Sequence, residues 1–179
     1  STIATAGRSG TIRRWRGAEE LPPLVGHENG IRTLAFSADG SLLASGGDDG
    51  AVRVWHADGT LAEAFLGHQG PVNGVDFTPD GRLTSVGDDG TMRVWDVAAA
   101  RLLVTLPLHR GPATTVDVSP DGRATLTVSE EDKVLRQTFC EVCGAVGQVV
   151  DLARARGARP LSPEEERQYL SMSTTEGTT

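Results

Sequence analysis

The amino-acid sequence predicts an all-β fold in which one four-stranded antiparallel sheet is repeated radially along a chain of 179 residues. Three observations lead to this expectation. One pattern occurs three times with a period of about 40 residues, at 26–59, 67–99 and 108–138. Each copy contains short segments in which apolar and polar residues alternate, as they do in half-buried strands. No helical pattern separates these segments before residue 139.

The first full copy shows where the strands begin and end. Turn-forming pairs such as Asp39-Gly40 and Asp58-Gly59 lie between the alternating segments, and glycine accepts the positive φ that such turns require. The predicted strands are Ile31–Phe36, Leu42–Ser45, Ala51–Trp55 and Leu61–Leu66. A unit of four short strands with no helix is therefore expected in each full copy.

The two ends of the repeated region are incomplete. Residues 2–15 match only the second half of a copy and begin with the predicted strand Ile3–Ala6. The last copy shows three strands, at Ala113–Val118, Ala124–Val128 and Lys133–Phe139. The sequence thus predicts a partial sheet over 1–25 and further sheets over 26–66, 67–107 and 108–139.

The repeated residues resemble a known family. Gly26-His27 opens a copy, Trp95-Asp96 closes one, and His27, His68 and His109 follow at intervals of 41 residues. This pattern resembles the WD-repeat β-propeller family over residues 2–138, although His56 follows Trp55 and Gln137 stands where tryptophan belongs. The resemblance implies a partial WD-repeat β-propeller of about 3.5 four-stranded blades.

The resemblance also implies a buried hydrogen-bond chain in each blade, made of a histidine, a hydroxyl residue, an aspartate and a tryptophan. Such a chain satisfies every member, because the indole only donates, the carboxylate only accepts, and the hydroxyl and imidazole do both. The implied structural residues are His27, Ser45, Asp49 and Trp55, then His68, Ser85, Asp89 and Trp95, and finally His109 and Thr127 in the last copy.

Two catalytic or ligand-binding interpretations of these residues compete with the structural one. Serine, histidine and aspartate form hydrolase triads, but a catalytic set is not expected to recur once per repeat. The adjacent acids Asp48 and Asp49 lack the spacing of a calcium-binding loop. We therefore expect no metal and no cofactor, with Asp49 facing inward and Asp48 facing water.

The residues beside these structural positions are candidates for binding. The first position of each Asp-Asp-Gly turn varies in charge between copies, and these turns are expected to emerge on the same face as the Gly-His loops. This face is predicted to bind a protein or peptide ligand. The candidate residues are Arg8, Asp48, Asp88 and Glu130 on the turns, with Arg32, Asn73 and Thr114 on or before the first strands. Solvated turn residues are the alternative interpretation of each one.

Closure of a propeller requires about four to eight blades, more than the repeats here provide. We expect the remaining blades to lie upstream in the same polypeptide or in another chain. The chain would then be either the C-terminal part of an interaction module or an architectural half-propeller that completes a ring. A propeller enzyme is a further alternative, but only His56 remains among the histidines outside the implied structural set.

The sequence after residue 139 has a different character. Residues 140–171 show helical spacing, with Ser162-Pro163-Glu164-Glu165 as a strong helix start, and 172–179 is predicted to be disordered. Cys140-x-x-Cys143 lacks a second ligand pair for zinc and lacks a redox-type βαβ setting, so packed thiols are expected. The segment resembles the C-terminal ends of WD-repeat sensor domains in bacterial STAND-type signalling NTPases. No Walker A sequence occurs in the chain.

Composition narrows the class of partner. The net charge of −7 argues against electrostatic binding to nucleic acid or to an anionic membrane. Two cysteines provide no disulfide framework, so a reducing, cytoplasmic location is expected. The combined prediction is a non-enzymatic protein-interaction module of a larger bacterial signalling protein.

Overall fold

The computed structural model describes residues 2–131 and 133–139, and residues 1–138 form one compact unit. The described residues form fourteen β-strands, and no helix occurs among them. The strands are β1 (Thr2–Thr5), β2 (Thr11–Arg16), β3 (Glu19–Val25), β4 (Ile31–Phe36), β5 (Leu42–Gly47), β6 (Val52–His56), β7 (Leu61–Phe65), β8 (Val72–Phe77), β9 (Leu83–Gly87), β10 (Thr91–Asp96), β11 (Arg101–Pro107), β12 (Thr115–Val118), β13 (Ala124–Ser129) and β14 (Val134–Phe139).

These strands form four antiparallel sheets in chain order. Sheet A contains β1-β2-β3, sheet B contains β4-β5-β6-β7, sheet C contains β8-β9-β10-β11 and sheet D contains β12-β13-β14. Within each sheet, every strand pairs with the next along the chain, because short turns join antiparallel neighbours directly. The all-β prediction is confirmed for the described residues, and the four sheets agree with the blades of a WD-repeat propeller.

Some strands begin or end a residue or two away from their predicted bounds. The two differences of two residues are at β5, which was predicted to end at Ser45 and ends at Gly47, and at β12, which was predicted from Ala113 and begins at Thr115. At β12, the Ala113 N–H donates to the Gly87 carbonyl of sheet C, 3.0 Å away, and is therefore not available to its own sheet. The start of this strand is thus set by a contact between sheets that the alternation of residues does not contain.

The hydrophobic core lies between neighbouring sheets. Between sheets B and C, Val54, Val72 and Leu83 are fully buried, and the Phe65 and Trp95 rings pack with centroids 4.9 Å apart. Burying each such side chain contributes about 1.5–3 kcal/mol. Smaller clusters fill the other two junctions, with Ile12, Leu24, Ile31, Leu43 and Trp55 in one and Val86, Met92, Val94, Ala113 and Val116 in the other.

The turn before the third strand of each full sheet fits against the loop that opens the next repeat. Gly50 has a φ of 73°, and a Cβ there would lie 3.0 Å from the Gly70 carbonyl oxygen. Glycine is required for the backbone conformation and for this close approach. The Asp-Asp-Gly turns and the Gly-His loops therefore share one end of the sheets.

The predicted helical extension over 140–171, the disordered tail over 172–179 and the cysteine pair lie outside the described residues. Within the described part, there is no helix with the length and apolar character that crossing a membrane requires.

Candidate functional site

Two buried hydrogen-bond chains occupy equivalent places in sheets B and C. In sheet B, Trp55 Nε1 donates to Ser45 Oγ at 3.0 Å, Ser45 Oγ lies 2.8 Å from His27 Nε2, and His27 Nδ1 lies 2.9 Å from Asp49 Oδ1. The corresponding distances in sheet C are 2.8, 2.8 and 3.0 Å, along Trp95, Ser85, His68 and Asp89. The structure thus joins the four implied residues of each full sheet.

The direction of these hydrogen bonds defines the state of the histidines. The indole can only donate, so Ser45 Oγ accepts from Trp55 and its hydroxyl donates a hydrogen bond to His27 Nε2. The proton of the neutral imidazole is then on Nδ1, which donates to Asp49. Burial lowers the pKa of His27 and of His68, and outweighs the hydrogen bonds to Asp49 and Asp89 that act in the opposite direction. Both rings are therefore neutral at neutral pH.

The aspartate of each chain also holds the backbone around it. Asp49 accepts hydrogen bonds from the Glu28 and Ala51 backbone N–H groups, each at 3.2 Å. Burial alone would raise the pKa of Asp49, but the hydrogen bonds from His27, Ala51 and Arg53 prevail and lower it to about 2. One carboxylate therefore links the Gly-His loop to the turn that follows the second strand.

An arginine completes each chain, and sequence reasoning missed it. Arg53 Nη1 donates to Asp49 Oδ2 at 2.8 Å, and Arg93 Nη2 lies 3.8 Å from Asp89 Oδ2. Both arginines stand four residues after their aspartate in the repeated Arg-Val-Trp sequence. That recurrence was a usable signal, since a charged residue at a fixed position in two copies has a shared partner.

The last copy keeps only part of this arrangement. His109 Nε2 lies 2.9 Å from Thr127 Oγ1, but Gln137 replaces the indole that the hydroxyl bonds in the other copies. Ser129 stands where Gly47 and Gly87 stand, and its buried Oγ has no hydrogen-bond partner among the described residues. Sheet D therefore has a weaker polar core than sheets B and C.

The first, partial copy uses its polar residues differently. Trp15 is half-buried, and the Arg13 guanidinium lies 5.1 Å from its ring centroid. Arg13 also donates to the Glu20 carboxylate at 2.9 Å. An exposed ion pair and a cation–π contact thus stand in sheet A where the other sheets have a buried chain.

The Ser-His-Asp sets cannot act on a substrate in this arrangement. Ser45 and Ser85 are 0% exposed, and both hydroxyls are already engaged by an indole and an imidazole. A nucleophile must reach the reacting atom of its substrate. The geometry therefore favours a structural role for both sets.

A second group of polar residues is exposed at the same end of the sheets. Arg32 Nε donates to Asp48, and Arg32 Nη1 donates to Asn73 Oδ1 at 2.7 Å. Asn73 Nδ2 in turn donates to Asp88 Oδ1 at 2.7 Å and to the Ala113 carbonyl at 2.9 Å. We call Asp48, Arg32, Asn73 and Asp88 the polar chain. It runs from sheet B to sheet C and ends against the loop that precedes sheet D.

The remaining candidate residues lie near the polar chain but do not join it. Arg8 and Glu130 are exposed and make no hydrogen bond or ion pair within the described part of the chain. Thr114 is half-buried, and its hydroxyl donates to the Val128 carbonyl at 3.2 Å, within its own sheet. The structure therefore brings together four of the seven candidates.

The two neighbouring acids of the first full turn occupy different environments. The Asp48 side chain is 37% exposed and the Asp49 side chain is 8% exposed. The described residues contain no group of three or more histidine, cysteine or acidic side chains placed to hold a metal ion. The geometry thus offers an exposed polar surface above a buried polar scaffold.

An acidic residue on the first strand of sheet C also links two sheets, and sequence reasoning did not single it out. Asp76 Oδ2 accepts from the Val118 N–H of sheet D at 2.7 Å, and burial raises the pKa of Asp76. No pattern in the sequence marks this contact, because only one copy makes it.

Comparison with known proteins agrees with a chain built from repeated four-stranded sheets. The family described as "WD domain, G-beta repeat" matches residues 19–56 and 59–96. The chain is 35% identical over 69 residues to the "Periodic tryptophan protein 2 homolog" of Dictyostelium discoideum, which covers 38% of this chain and 8% of that protein. It is 37% identical over 70 residues to an uncharacterized WD repeat-containing protein of Synechocystis, covering 38% of this chain and 20% of the relative.

A third relative, the "Nuclear distribution protein PAC1" of Gibberella zeae, is 43% identical over 54 residues, which is 30% of this chain and 12% of that protein. The chain therefore aligns with between 8% and 20% of the length of these relatives. Residues 19–56 and 59–96, which contain the strands from β3 to β10, match the model of the WD40 repeat.

Proposed function

We propose that this chain is a non-enzymatic interaction module that binds a protein or peptide ligand on the face carrying the polar chain. WD40 repeats and the relatives that share them indicate a protein-interaction scaffold, and proteins of this kind are generally non-enzymatic. We choose this face because of the polar chain, in which half-exposed polar and charged side chains hold one another in fixed positions.

Fixed polar side chains suit recognition for a physical reason. A ligand that binds mobile arginine and aspartate side chains loses affinity, because those side chains must be ordered. Here Arg32 is held by Asp48 and Asn73, and Asn73 is held by the Ala113 carbonyl. The guanidinium and the carboxylates remain 35–44% exposed, so a ligand reaches them without first rearranging the face.

A displayed peptide library panned against the immobilised 179-residue chain tests the proposal. Peptides enriched by the wild type are then measured against a variant carrying Asp48→Arg and Asp88→Arg. We expect the variant to lose binding to most of the enriched peptides while its thermal unfolding stays close to that of the wild type.

The matched control is Asp39→Arg with Asp80→Arg, which makes the same change in net charge at the opposite end of the sheets. These acids accept local hydrogen bonds in turns, so their replacement is the harsher change for stability. Two results would contradict the proposed face. In one, the enriched peptides bind the control as poorly as they bind the Asp48→Arg, Asp88→Arg variant. In the other, they bind that variant as well as they bind the wild type.

Asp49→Ala separates recognition from scaffold. This substitution removes the partner of His27 and of the Ala51 N–H, so we expect a lower midpoint of thermal unfolding. An equal loss of stability from Asp48→Ala would contradict the division of roles between the two acids.

We further infer that the chain belongs to a larger bacterial signalling protein of the STAND type and works in the cytoplasm. The resemblance of residues 140–171 supports this, and a relative from a cyanobacterium shares the repeats. Sequencing the gene upstream of residue 1 is the direct test. A nucleotide-binding module with a Walker A sequence is expected there, and an upstream frame encoding an unrelated module would overturn the assignment.

Completion of a ring with other blades is a second candidate function. Sheets A and D have three described strands each, whereas sheets B and C have four. An exposed strand edge favours pairing with further polypeptide. Sedimentation of the 179-residue chain tests this candidate, since concentration-dependent association is expected and a strictly monomeric, cooperatively folded chain would contradict it.

A further inference from the structure

The polar chain carries an uncompensated negative charge at its sheet C end. It contains two carboxylates, Asp48 and Asp88, and one guanidinium, Arg32. Arg32 Nε donates to Asp48, whereas Arg32 Nη1 lies 4.0 Å from Asp88 Oδ1. Asp88 Oδ1 accepts from the neutral Asn73 amide at 2.7 Å, and among the described residues no group donates to Asp88 Oδ2. A hydrogen bond from a neutral amide leaves the charge of the carboxylate in place, so Asp88 attracts a cation.

The turn of the next sheet also presents an acid. Glu130 takes the place of Asp88 in sheet D, and it is exposed. It makes no hydrogen bond or ion pair within the described part of the chain. Complementary charge favours a cationic group on the ligand here, which in a peptide is a lysine or an arginine.

An exposed apolar residue stands two positions before the buried histidine of each copy. These residues are Val25, Leu66 and Pro107. Val25 and Leu66 are 71% and 73% exposed, the largest fractions among the exposed large apolar residues of the described chain. A single exposed apolar residue is ordinary, but its recurrence at one position in three copies indicates contact with a ligand. All three lie where the outer strands lead into the loops that share one end with the polar chain.

One loop connects the apolar residue of sheet B to the acidic end of the polar chain. The loop begins at Leu66, directly after β7, and a Cβ on Gly70 would lie 3.3 Å from the Asp88 Cβ. An extended chain spans at most about 3.6 Å per residue, so the Leu66 Cα lies within about 14 Å of the Gly70 Cα. A peptide that reaches both Leu66 and Asp88 therefore needs its two contacting side chains about three or four positions apart.

The charge beneath this loop gives the peptide a direction. A Cβ on Gly67 would lie 2.6 Å from Arg93 Nη1, so a guanidinium lies against the loop next to Leu66. This guanidinium disfavours a ligand cation at the Leu66 end, whereas Asp88 favours one at the other end. The two ends of the loop thus select different side chains.

We propose that the ligand of the polar chain is a peptide segment whose lysine or arginine pairs with Asp88 and whose apolar residue, about three or four positions away, packs on Leu66. The peptide crosses the loop of residues 66–70. The inference rests on the proposed interaction function and identifies the chemistry of its ligand, together with a further residue, Leu66, that selects this ligand.

A synthetic peptide array tests the proposal with defined probes. Each peptide of about ten residues carries lysine, glutamine or glutamate at one position and leucine or serine at another, with the distance between them varied. The array is incubated with the labelled 179-residue chain. The lysine–leucine peptide that binds most strongly, and its glutamine and serine counterparts, are then measured in solution by fluorescence anisotropy.

We expect binding to be strongest for lysine and leucine about three or four positions apart and weakest for glutamate. Asp88→Asn removes the charge and keeps the shape, so it should weaken the lysine peptide about 2- to 5-fold and leave the glutamine peptide unchanged. Leu66→Ser should weaken the leucine peptide about 3- to 10-fold and leave the serine peptide unchanged. The matched controls, Leu61→Ser at the other end of β7 and Asp80→Asn at the opposite end of sheet C, should not change any of these affinities.

Three results would overturn the proposal. They are no saturable binding by any lysine–leucine peptide, a preference for glutamate over lysine, and losses from Asp88→Asn or Leu66→Ser that do not depend on the matching peptide residue. The displayed library reports on the proposed face without prescribing a peptide chemistry. Library peptides that require Asp48 and Asp88 but lack a basic and an apolar residue at this spacing would overturn the inference and leave the proposed function standing.

Discussion

The hydroxyl at the centre of each buried chain gives the sharpest test of the scaffold. Ser85 is 0% exposed, and its Oγ lies 2.8 Å from both Trp95 Nε1 and His68 Nε2. Ser85→Ala removes one oxygen and leaves two buried polar groups without a partner. Each stranded group costs about 1–3 kcal/mol. The indole can move toward the imidazole and recover part of this cost, so we expect a loss of about 2–4 kcal/mol in the free energy of unfolding.

The last copy of the repeat provides matched controls. Thr127→Val removes the hydroxyl that His109 contacts while keeping the shape of the side chain, and it leaves one group stranded because no tryptophan shares that hydroxyl. We expect a loss of about 1–2 kcal/mol. Ser129→Ala removes a buried hydroxyl that has no partner, so the free energy of unfolding should stay the same or rise.

Urea unfolding of the 179-residue chain, followed by tryptophan fluorescence and circular dichroism, measures all three variants under one set of conditions. The order of cost, Ser85→Ala above Thr127→Val above Ser129→Ala, is the prediction. A Thr127→Val loss equal to that of Ser85→Ala, or a clear loss from Ser129→Ala, would refute the account of stranded groups.

Further predictions concern pH, a turn glycine and the missed arginine. In the folded chain, the pKa of His27 lies below its ordinary value of 6.5, and the pKa of Asp49 is about 2 instead of 3.8. Just below each ordinary pKa the unfolded chain therefore binds more protons than the folded chain, so the urea midpoint should fall as pH drops below about 6.5 and again between about pH 4 and 2. A urea midpoint that does not change with pH would contradict this. Gly40→Ala, at a φ of 71°, should lower the free energy of unfolding by about 1–2 kcal/mol. Gly50→Ala, at a φ of 73°, should lower it by about 1–3 kcal/mol more than Gly40→Ala does, because the added Cβ meets a carbonyl oxygen. Arg53→Met should cost about 1.5–3 kcal/mol in that assay and move the acid transition to higher pH, since Asp49 loses a charged donor; an unchanged acid midpoint would argue against the pairing.

The repeat made most of the fold predictable. A period of about 40 residues with alternating segments was sufficient to predict antiparallel sheets, and the turn glycines predicted where strands end. The start of β12 was not predictable in this way, because Ala113 bonds the Gly87 carbonyl of another sheet. Periodicity reports which face of a strand is buried, and it contains nothing about hydrogen bonds between neighbouring units.

The same limit applies to the candidate face. Variation in charge at Asp48 and its counterparts indicated exposure, but it did not indicate that Arg32 of one sheet would hold Asn73 of the next. That contact requires the first strands of adjacent sheets to lie side by side, which is a property of the packing. Four of the seven residues chosen as separate candidates therefore proved to be parts of one connected surface.

The connection between sheets explains why one acid of the turn varies while its neighbour serves the scaffold. Asp49 is bound by an imidazole, a guanidinium and two backbone N–H groups of its own repeat, so removal of its carboxylate leaves several donors without a partner. Asp48 contacts Arg32, whose own contacts extend to the next sheet. A change at Asp48 can therefore be accommodated by a change in an exposed neighbour, without altering the core. The Asp48 position of each turn is therefore open to change, while the Asp49 position holds the Gly-His loop and the turn of its own repeat together.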